Sequence, residues 1–298
     1  MTRVLVFGSG ILMLVATARS EQPTVLPKAK QTIKIDGELT DAAWQTAAVA
    51  KADYEMGQVG KPSKQPRLIT RYTWDDHYLY IAYETFDQNL IAVASDKTQG
   101  PKGNRRQGCE IWHPEKKIEV VEFFISFGDT RFFWELHHNA ANQFNDVWCS
   151  VYDESWPISK STRAPFGIHF GHLDYLQDDM DTGRTLAMAT RLKANKNGTP
   201  STINDSSDND TGYTAELRIP WHSLGPPVNR RNFVTVEASG QKKRVRGPWK
   251  MAGQQVLILA VVQDGDLPVR YHHSSPTFSG AWFHRHAKDW PAFVLKDY

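Results

Sequence analysis

Between Val120 and Trp148 the chain reads VVEFFISFGDTRFFWELHHNAANQFNDVW, and the period of its apolar residues restricts what it can become. Val121, Phe123, Ile125 and Phe127 alternate with Val120, Glu122, Phe124 and Ser126. Gly128-Asp129-Thr130 supplies turn residues. Beyond them Phe132, Trp134 and Leu136 share one face, and Phe133, Glu135, His137 and Asn139 the other. A period of two over both arms predicts a β-hairpin with one face in a core. The opposite face is expected to lie outside the core, with Glu122, Glu135, His137 and Asn139 set among aromatic rings. Flat rings beside hydrogen-bonding groups suit a polyhydroxylated ligand better than a purely apolar or purely charged one.

The remaining chain repeats the pattern. Arg67–Trp74 and Tyr78–Phe86 form a second hairpin around Asp75-Asp76, with Leu79, Ile81 and Tyr83 opposite Tyr80, Ala82 and Glu84. Thr32–Gly37 reads as a strand entering a turn, and Glu38–Trp44 as a helical turn that buries Trp44. Val147–Tyr152, Gly167–Phe170, Leu186–Leu192, Gly212–Ile219, Phe233–Ala238 and Val256–Val262 are further short strands. Trp221–Leu224 is at most one helical turn. Many short strands separated by Gly, Pro, Asn and Asp predict an all-β fold, a two-sheet antiparallel β-sandwich (jelly-roll-like) with long loops. Lys193–Thr211 is poor in apolar residues and reads as a mobile surface loop. Its sequons at Asn197, Asn204 and Asn209 carry little weight in so Asn- and Ser-rich a stretch.

Residues 1–20 read as a signal peptide: Arg3, an apolar run from Val4 to Ala16, then small residues before Ser20. The run is short for a membrane span, so no integral membrane segment is expected after its removal. The expectation is a secreted or periplasmic protein, with residues 21–298 as a single domain. A net charge of +2 argues against a nucleic-acid partner, and the Arg- and Lys-rich stretch Asn229–Lys250 reads as a solvated face. Cys109 and Cys149 are compatible with a disulfide or with two separate thiols. Neither fits a zinc or haem spacing.

Ile35-Asp36-Gly37 with Trp44, then Trp74-Asp75-Asp76 leading into Leu79–Tyr83, resembles the start of family 9 carbohydrate-binding modules. Val121-Glu122-Phe123-Phe124-Ile125 is similar to that family's "vEvFi" strand, and Glu135, Asn142 and Asp146 to the strand and loop that follow. Gly212–Trp221 resembles its "aElrIPw" strand, and Ser275-Pro276, Phe283-His284-Arg285, Trp290 and Phe293 its closing segment. The ordered set spans about residues 32–295. The loop from Lys193 and the basic stretch before Trp249 depart from the family pattern. The resemblance implies a sandwich with bound calcium and a slot in which two tryptophans clamp a sugar, often a glycan's reducing end.

Tryptophan stacks on the C–H faces of sugars while carboxylates, amides and arginine pair with hydroxyls. Trp44, Trp74, Trp134, Trp221 and Trp290 occupy strand or motif positions and are expected in the core. Trp112, Trp148, Trp156, Trp249 and Trp282 are read as loop residues and are the clamp candidates. Glu122, Asn139, Asn142, Asp146 and Arg285 are the polar candidates. Asp75, Asp76 and Asp87 are the candidate calcium ligands, with turn formation as the plainer account of the first two. The expected partner is an oligo- or polysaccharide, with a glycoside hydrolase as a further partner. Glu122 and Glu135 on neighbouring strands leave a glycoside hydrolase as the catalytic alternative. A haem-binding sandwich is the alternative outside sugar chemistry. His137-His138 and His272-His273 cannot chelate as pairs, because neighbours on a strand point to opposite faces.

Overall fold

The computed structural model describes residues 22–92, 119–127, 132–151, 168–170, 186–224, 233–238, 241–246, 251–266, 271–278, 283 and 287–297. In chain order the strands are β1 (Thr24–Pro27), β2 (Ala48–Ala52), β3 (Tyr54–Glu55), β4 (Leu68–Trp74), β5 (Tyr78–Thr85), β6 (Val120–Ser126), β7 (Phe132–His138) and β8 (Phe144–Val151). They continue as β9 (Ile168–Phe170), β10 (Ala187–Leu192), β11 (Tyr213–Pro220), β12 (Phe233–Ala238), β13 (Gln241–Arg246), β14 (Gln255–Gln263), β15 (Tyr271–His273) and β16 (Ala292–Lys296). Two helical turns, α1 (Ala43–Thr46) and α2 (Trp221–Leu224), complete the α-helical structure among the described residues. None of those helices is long and apolar enough to cross a membrane.

One sheet runs β1-β16-β14-β6-β7-β8-β9, with β15 paired to β14 and β3 to β15; the other runs β10-β11-β5-β4-β2. β12 and β13 form a separate hairpin. The expected all-β sandwich is therefore present. Its ladders are antiparallel except where β1 lies parallel to β16, joining the two ends of the described chain. Pro-containing Thr24–Pro27 carries too little pattern to announce such a strand, because its pairing is set by a partner more than 260 residues away.

Alternation places Val121, Phe123, Ile125, Trp134 and Leu136 from the first sheet against Leu79, Ile81, Tyr83, Leu217 and Ile219 from the second. All are at most 7 % exposed, and each large side chain so buried contributes roughly 1.5–3 kcal/mol. The expectation that the opposite face of β6–β7 lies outside the core is corrected. Phe124 and Phe133 there pack under Phe278, Phe283 and Trp290, with Leu257, Leu259 and Val261 of β14 alongside. The outer face of β5 is covered as well, by Ile33 and Trp44 over Tyr80 and Ala82. Each sheet is thus covered over part of its outer face, which a strand's own alternation cannot reveal because aromatic residues occupy both of its faces.

Thr32–Ile35 is not a strand. The amides that a ladder would have used, those of Asp36 and Gly37, donate to Glu216 Oε2 of β11, each at 2.8 Å. The indole of Trp44 donates to Glu216 Oε1 at 2.8 Å. One buried carboxylate therefore gathers three donors from the Ile35–Trp44 segment. Gly37 has φ +81°, and a Cβ there would stand 3.0 Å from backbone atoms of Thr190 and Arg191, so only glycine fits this close approach.

Lys193–Thr211 differs from the mobile loop its composition suggests. Asn195, Ser201 and Asp210 are buried, and the loop binds the segment after β5. Asn204 N donates to Leu90 O, Leu90 N to Asp210 Oδ2, and Ala92 N to Asn204 Oδ1, at 2.7, 2.8 and 3.1 Å. Asn and Asp side chains stand in for backbone partners here, which composition alone scores as polarity.

Candidate functional site

The described residues bring two groups of ionisable side chains together. The first lies at one end of the sandwich, where the chain leaves β5 and β14 and enters β6. Asp87, Glu119 and Asp264 each offer a carboxylate oxygen, and the three oxygens lie within 4.8 Å of one another. Hydrogen bonding holds the frame: Asn89 N donates to Asp87 Oδ1 at 3.0 Å, Ile91 N to Glu119 Oε2 at 2.8 Å, and Asp266 N to Asp264 Oδ1 at 2.9 Å. Glu119 Oε1 is buried and accepts no hydrogen bond among the described residues. Burial, and then the neighbouring carboxylates, push Asp87 up to about 6 and raise Glu119 as well. A cavity of about 10 Å³ opens between these groups, walled also by Arg67, Thr85 and Tyr213. It has room for one water-sized occupant.

This all-oxygen donor set, with one orphaned carboxylate oxygen turned inward, fits a hard dication such as calcium. Asp87 alone of the three expected ligands belongs to it. Asp75 instead closes the β4–β5 turn: its Oδ1 accepts from His77 N and Tyr78 N at 2.7 and 2.8 Å, and its Oδ2 from the Tyr80 hydroxyl at 2.7 Å. Asp76 pairs with Lys28 at 2.7 Å. Asp75 and Asp87 flank opposite ends of β5, so they stand roughly 25 Å apart at strand rise. The structure does not bring Asp75 and Asp76 to Asp87. Glu119 and Asp264 were not foreseen; acidic residues just outside two strand ends were the available signal.

The second group lies on the outer face of β6–β8. Glu122, Glu135 and His137 are 3 %, 8 % and 2 % exposed, and one ligand atom from each lies within 4.8 Å of the others. Register sets Glu122 opposite His137, and Glu135 lies two residues before His137 on the same face. The His137 Nε2 to Glu135 Oε1 distance is 3.0 Å. Burial by itself would lower His137, but the Glu135 carboxylate, with Glu122 and Asp146, reverses this and raises it. Cys149 is buried, and its Sγ donates to Glu135 Oε2 at 3.5 Å.

The other polar candidates serve the chain itself. Asn139 Oδ1 accepts from Ala141 N and Gln143 N, both at 3.1 Å, which fixes the β7–β8 turn. Asn142 sits in that turn at φ +55°, and its Oδ1 accepts from His138 Nε2 at 2.9 Å. The Tyr83 hydroxyl donates to His138 Nδ1 at 2.6 Å on the inter-sheet side. His137 and His138 do face opposite ways, as the strand geometry requires. Asp146, 1 % exposed, is in register with core residue Leu136 and so lies on the inter-sheet face, within electrostatic reach of His137.

The five core tryptophans are all buried, at 7 % exposure or less. Trp148 is a β8 strand residue in register with Trp134, which corrects its reading as a loop residue. Trp112, Trp156, Trp249, Trp282 and Arg285 lie outside the described residues, as do Cys109 and residues 1–20.

Fold and site together define an all-β, two-sheet sandwich with one acidic cluster at its end and one mixed polar cluster on a sheet face. Residues 35–139 match the family model described as carbohydrate family 9 binding domain-like, a span that takes in the Ile35–Gly37, Trp74–Tyr83 and Val121–Ile125 motifs but not Gly212–Trp221 or the closing segment. Among solved structures, a candidate carbohydrate-binding protein from Bacteroides uniformis superposes with TM-score 0.52 at 13 % identity, covering 92 % of this chain and 100 % of the other. That likeness concerns the fold. A family 9 carbohydrate-binding module from Caldicellulosiruptor kristjanssonii in complex with cellotriose gives 0.44 at 14 % identity, covering 93 % and 95 %. The same organism's family 9 module in complex with glucose gives 0.44 at 14 %, covering 92 % and 97 %. No curated protein matches the chain.

Proposed function

We propose that this is an exported, non-catalytic carbohydrate-binding domain that recognises an oligo- or polysaccharide by stacking it between tryptophans. The observation that carries the reading is the family match over residues 35–139, whose motif residues occupy one coherent framework here. Trp112 and Trp148 are the first clamp candidates, because one precedes β6 in the chain and the other lies on β8; Trp156, Trp249 and Trp282 follow. Arg285 is the favoured partner for sugar hydroxyls. Asn139 and Asn142 are committed to the β7–β8 turn, and Glu122 and Asp146 are buried, so hydroxyl pairing falls to residues other than these four.

The same arrangement argues against hydrolysis. Glu135 is engaged with His137 at 3.0 Å, and both members of the Glu122–Glu135 pair are buried. A glycosidase needs its two carboxyls to flank an open cleft that admits the scissile bond. Calcium at Asp87, Glu119 and Asp264 would brace the end of the sandwich, and the residues 1–20 pattern supports export. A glycoside hydrolase acting on the same glycan is the fitting partner, and capture of a glycan's reducing end the fitting mode.

Titration calorimetry against a glycan panel tests the reading. Binding should weaken by roughly 1–3 kcal/mol in Trp112→Ala or Trp148→Ala, the scale of a lost aromatic anchor. Absence of binding to any plant, algal or bacterial glycan would overturn it.

A further inference from the structure

Three side-chain oxygens of the Lys193–Thr211 loop are buried without a hydrogen-bond partner among the described residues: Ser201 Oγ, Asp208 Oδ1 and Asp210 Oδ1. Ser201 and Asp210 are 3 % and 0 % exposed. The Asp208 carboxylate and the Ser201 hydroxyl both stand close enough to Asp210 to act on its proton affinity. We propose that Ser201, Asp208 and Asp210 hold a hard divalent cation of the calcium class, at a site separate from Asp87, Glu119 and Asp264.

The way the loop is tied explains which oxygens are left for a cation. Each carboxylate commits one oxygen to the chain and keeps the other. Asp208 Oδ2 accepts from Thr202 N and Oγ1 at 2.8 and 3.0 Å, which draws the residue after Ser201 onto Asp208. Asp210 Oδ2 accepts from Leu90 N at 2.8 Å, while Asp210 N donates to Gln88 O at 3.0 Å. The two Oδ1 atoms remain, and a buried charged acceptor without a partner is costly. Burial foremost, with the Asp208 carboxylate adding, raises Asp210 above its ordinary value against the opposing Leu90 amide and Ser201 hydroxyl. A dication between the Oδ1 atoms cancels two formal charges and supplies the missing partner to both. Ser201 Oγ adds a neutral oxygen. Calcium accepts such a set, because it takes about six to eight oxygens in flexible geometry, and loop carbonyls and water complete the shell. Binding would also fasten the loop to the exit of β5. Leu90, held by Asp210, precedes Ile91, whose amide donates to Glu119. The segment from Asp87 to Ala92 therefore runs between two oxygen clusters.

The site depends on neither the glycan reading nor the Asp87 cluster, and each can fail alone. To silence that cluster, the full chain carrying Glu119→Gln is stripped with chelator and titrated with calcium by calorimetry. One equivalent should bind. Adding Asp208→Asn should weaken it by more than the roughly tenfold to hundredfold of a disturbed outer metal shell, and Ser201→Ala by a smaller factor. Asp208→Asn keeps an oxygen for Thr202 and turns an amide toward Asp210 Oδ1, so this variant folds without metal. Calcium should also slow trypsin severalfold at the exposed Lys196, and should not do so once Asp208→Asn is present. If Glu119→Gln does not fold, the wild type should bind two equivalents and lose one with Asp208→Asn. Absence of saturable calcium binding would overturn the site, leaving a proton shared by Asp208 and Asp210 in the metal's place. Binding untouched by Asp208→Asn would overturn it as well, by placing the ion elsewhere.

Discussion

Replacing Glu216 should damage the fold more than any exposed carboxylate would. Its Oε2 accepts the amides of Asp36 and Gly37 and its Oε1 the Trp44 indole, each at 2.8 Å, and the residue is 0 % exposed. An unsatisfied buried donor costs about 1–3 kcal/mol. Glu216→Ala strands three of them, but the Asp36 amide is only partly buried and can turn to water, so two count fully. The expected loss is then roughly 2–6 kcal/mol, a large share of a typical domain's 5–15 kcal/mol. Glu216→Gln is the sharper test. Its single oxygen can serve the two amides at the Oε2 position, which points its NH2 at the Trp44 N–H, or the reverse. The better orientation leaves one donor facing another, for about 1–3 kcal/mol. Trp44→Phe leaves both amides satisfied and should cost less than Glu216→Ala. Urea unfolding followed by tryptophan fluorescence measures each, with an unchanged slope confirming that stability alone has moved. Glu216→Gln within about 0.5 kcal/mol of wild type, the ordinary range of a surface change, would refute the carboxylate as anchor.

Tyr83→Phe removes the donor to His138 Nδ1 while keeping the ring in the core; about 1–3 kcal/mol should be lost in the same assay. Gly37→Ala combines positive φ with a Cβ contact at 3.0 Å to backbone and should cost at least about 1 kcal/mol, with Trp44 fluorescence reporting the displaced segment. His273, 0 % exposed and boxed by Tyr54, Phe278 and Phe283, is lowered by burial to about 4, with its neighbour His272 adding to the effect. Its folded value lies below its unfolded one, so the neutral form's stability is full above about pH 6.5 and is lost as pH falls toward 4, by at most about 3 kcal/mol. Thermal melts of His273→Gln should be flatter than wild type across that window. Calcium at a hundredfold over its dissociation constant from the Asp87–Glu119–Asp264 cluster should stabilise the chelator-treated protein by about 2.7 kcal/mol, and Glu119→Gln should erase that share of the gain in melting temperature.

The strands that sequence reveals are those whose pattern is internal to them. β4–β7 and β11 announce themselves by alternation over seven or more residues and β14 by an unbroken apolar run, whereas β8 was legible only from Val147 on. Thr24–Pro27, Tyr54–Glu55 and Tyr271–His273 do not, because four residues or fewer carry no measurable period and their pairing is decided by distant partners. Thr32–Ile35 misleads for a related reason: apolar alternation is present, but the adjoining amides are taken by Glu216 about 180 residues on. The candidate site was legible in residue type and not in grouping. Glu122 and Glu135 were evident as neighbours across a hairpin, and the β6–β7 register sets His137 directly opposite Glu122. Asp87 was recognised as an acidic residue without the means to tell that Asp264, far along the chain, would face it.

The tryptophans show why family and ligand separate in this chain. A high tryptophan count suggested stacking on sugar, yet four of the core set act through their indole N–H as ties between chain segments. Trp44 donates to Glu216, Trp74 to Leu26 O, Trp134 to Leu224 O and Trp221 to Asp75 O, at 2.7–2.9 Å. Each carries a large apolar body into the sandwich and ends in a donor that fixes a turn or edge, which suits tryptophan and no aliphatic residue. Trp44, Trp74 and Trp221, together with Glu216, stand in the motifs that mark the family resemblance, so those motifs describe how the frame is tied. The remaining tryptophans, from Trp112 to Trp282, fall outside the quoted motifs. Recognition of the frame therefore constrains the fold strongly and the proposed sugar ligand weakly, because the clamp candidates lie outside those motifs.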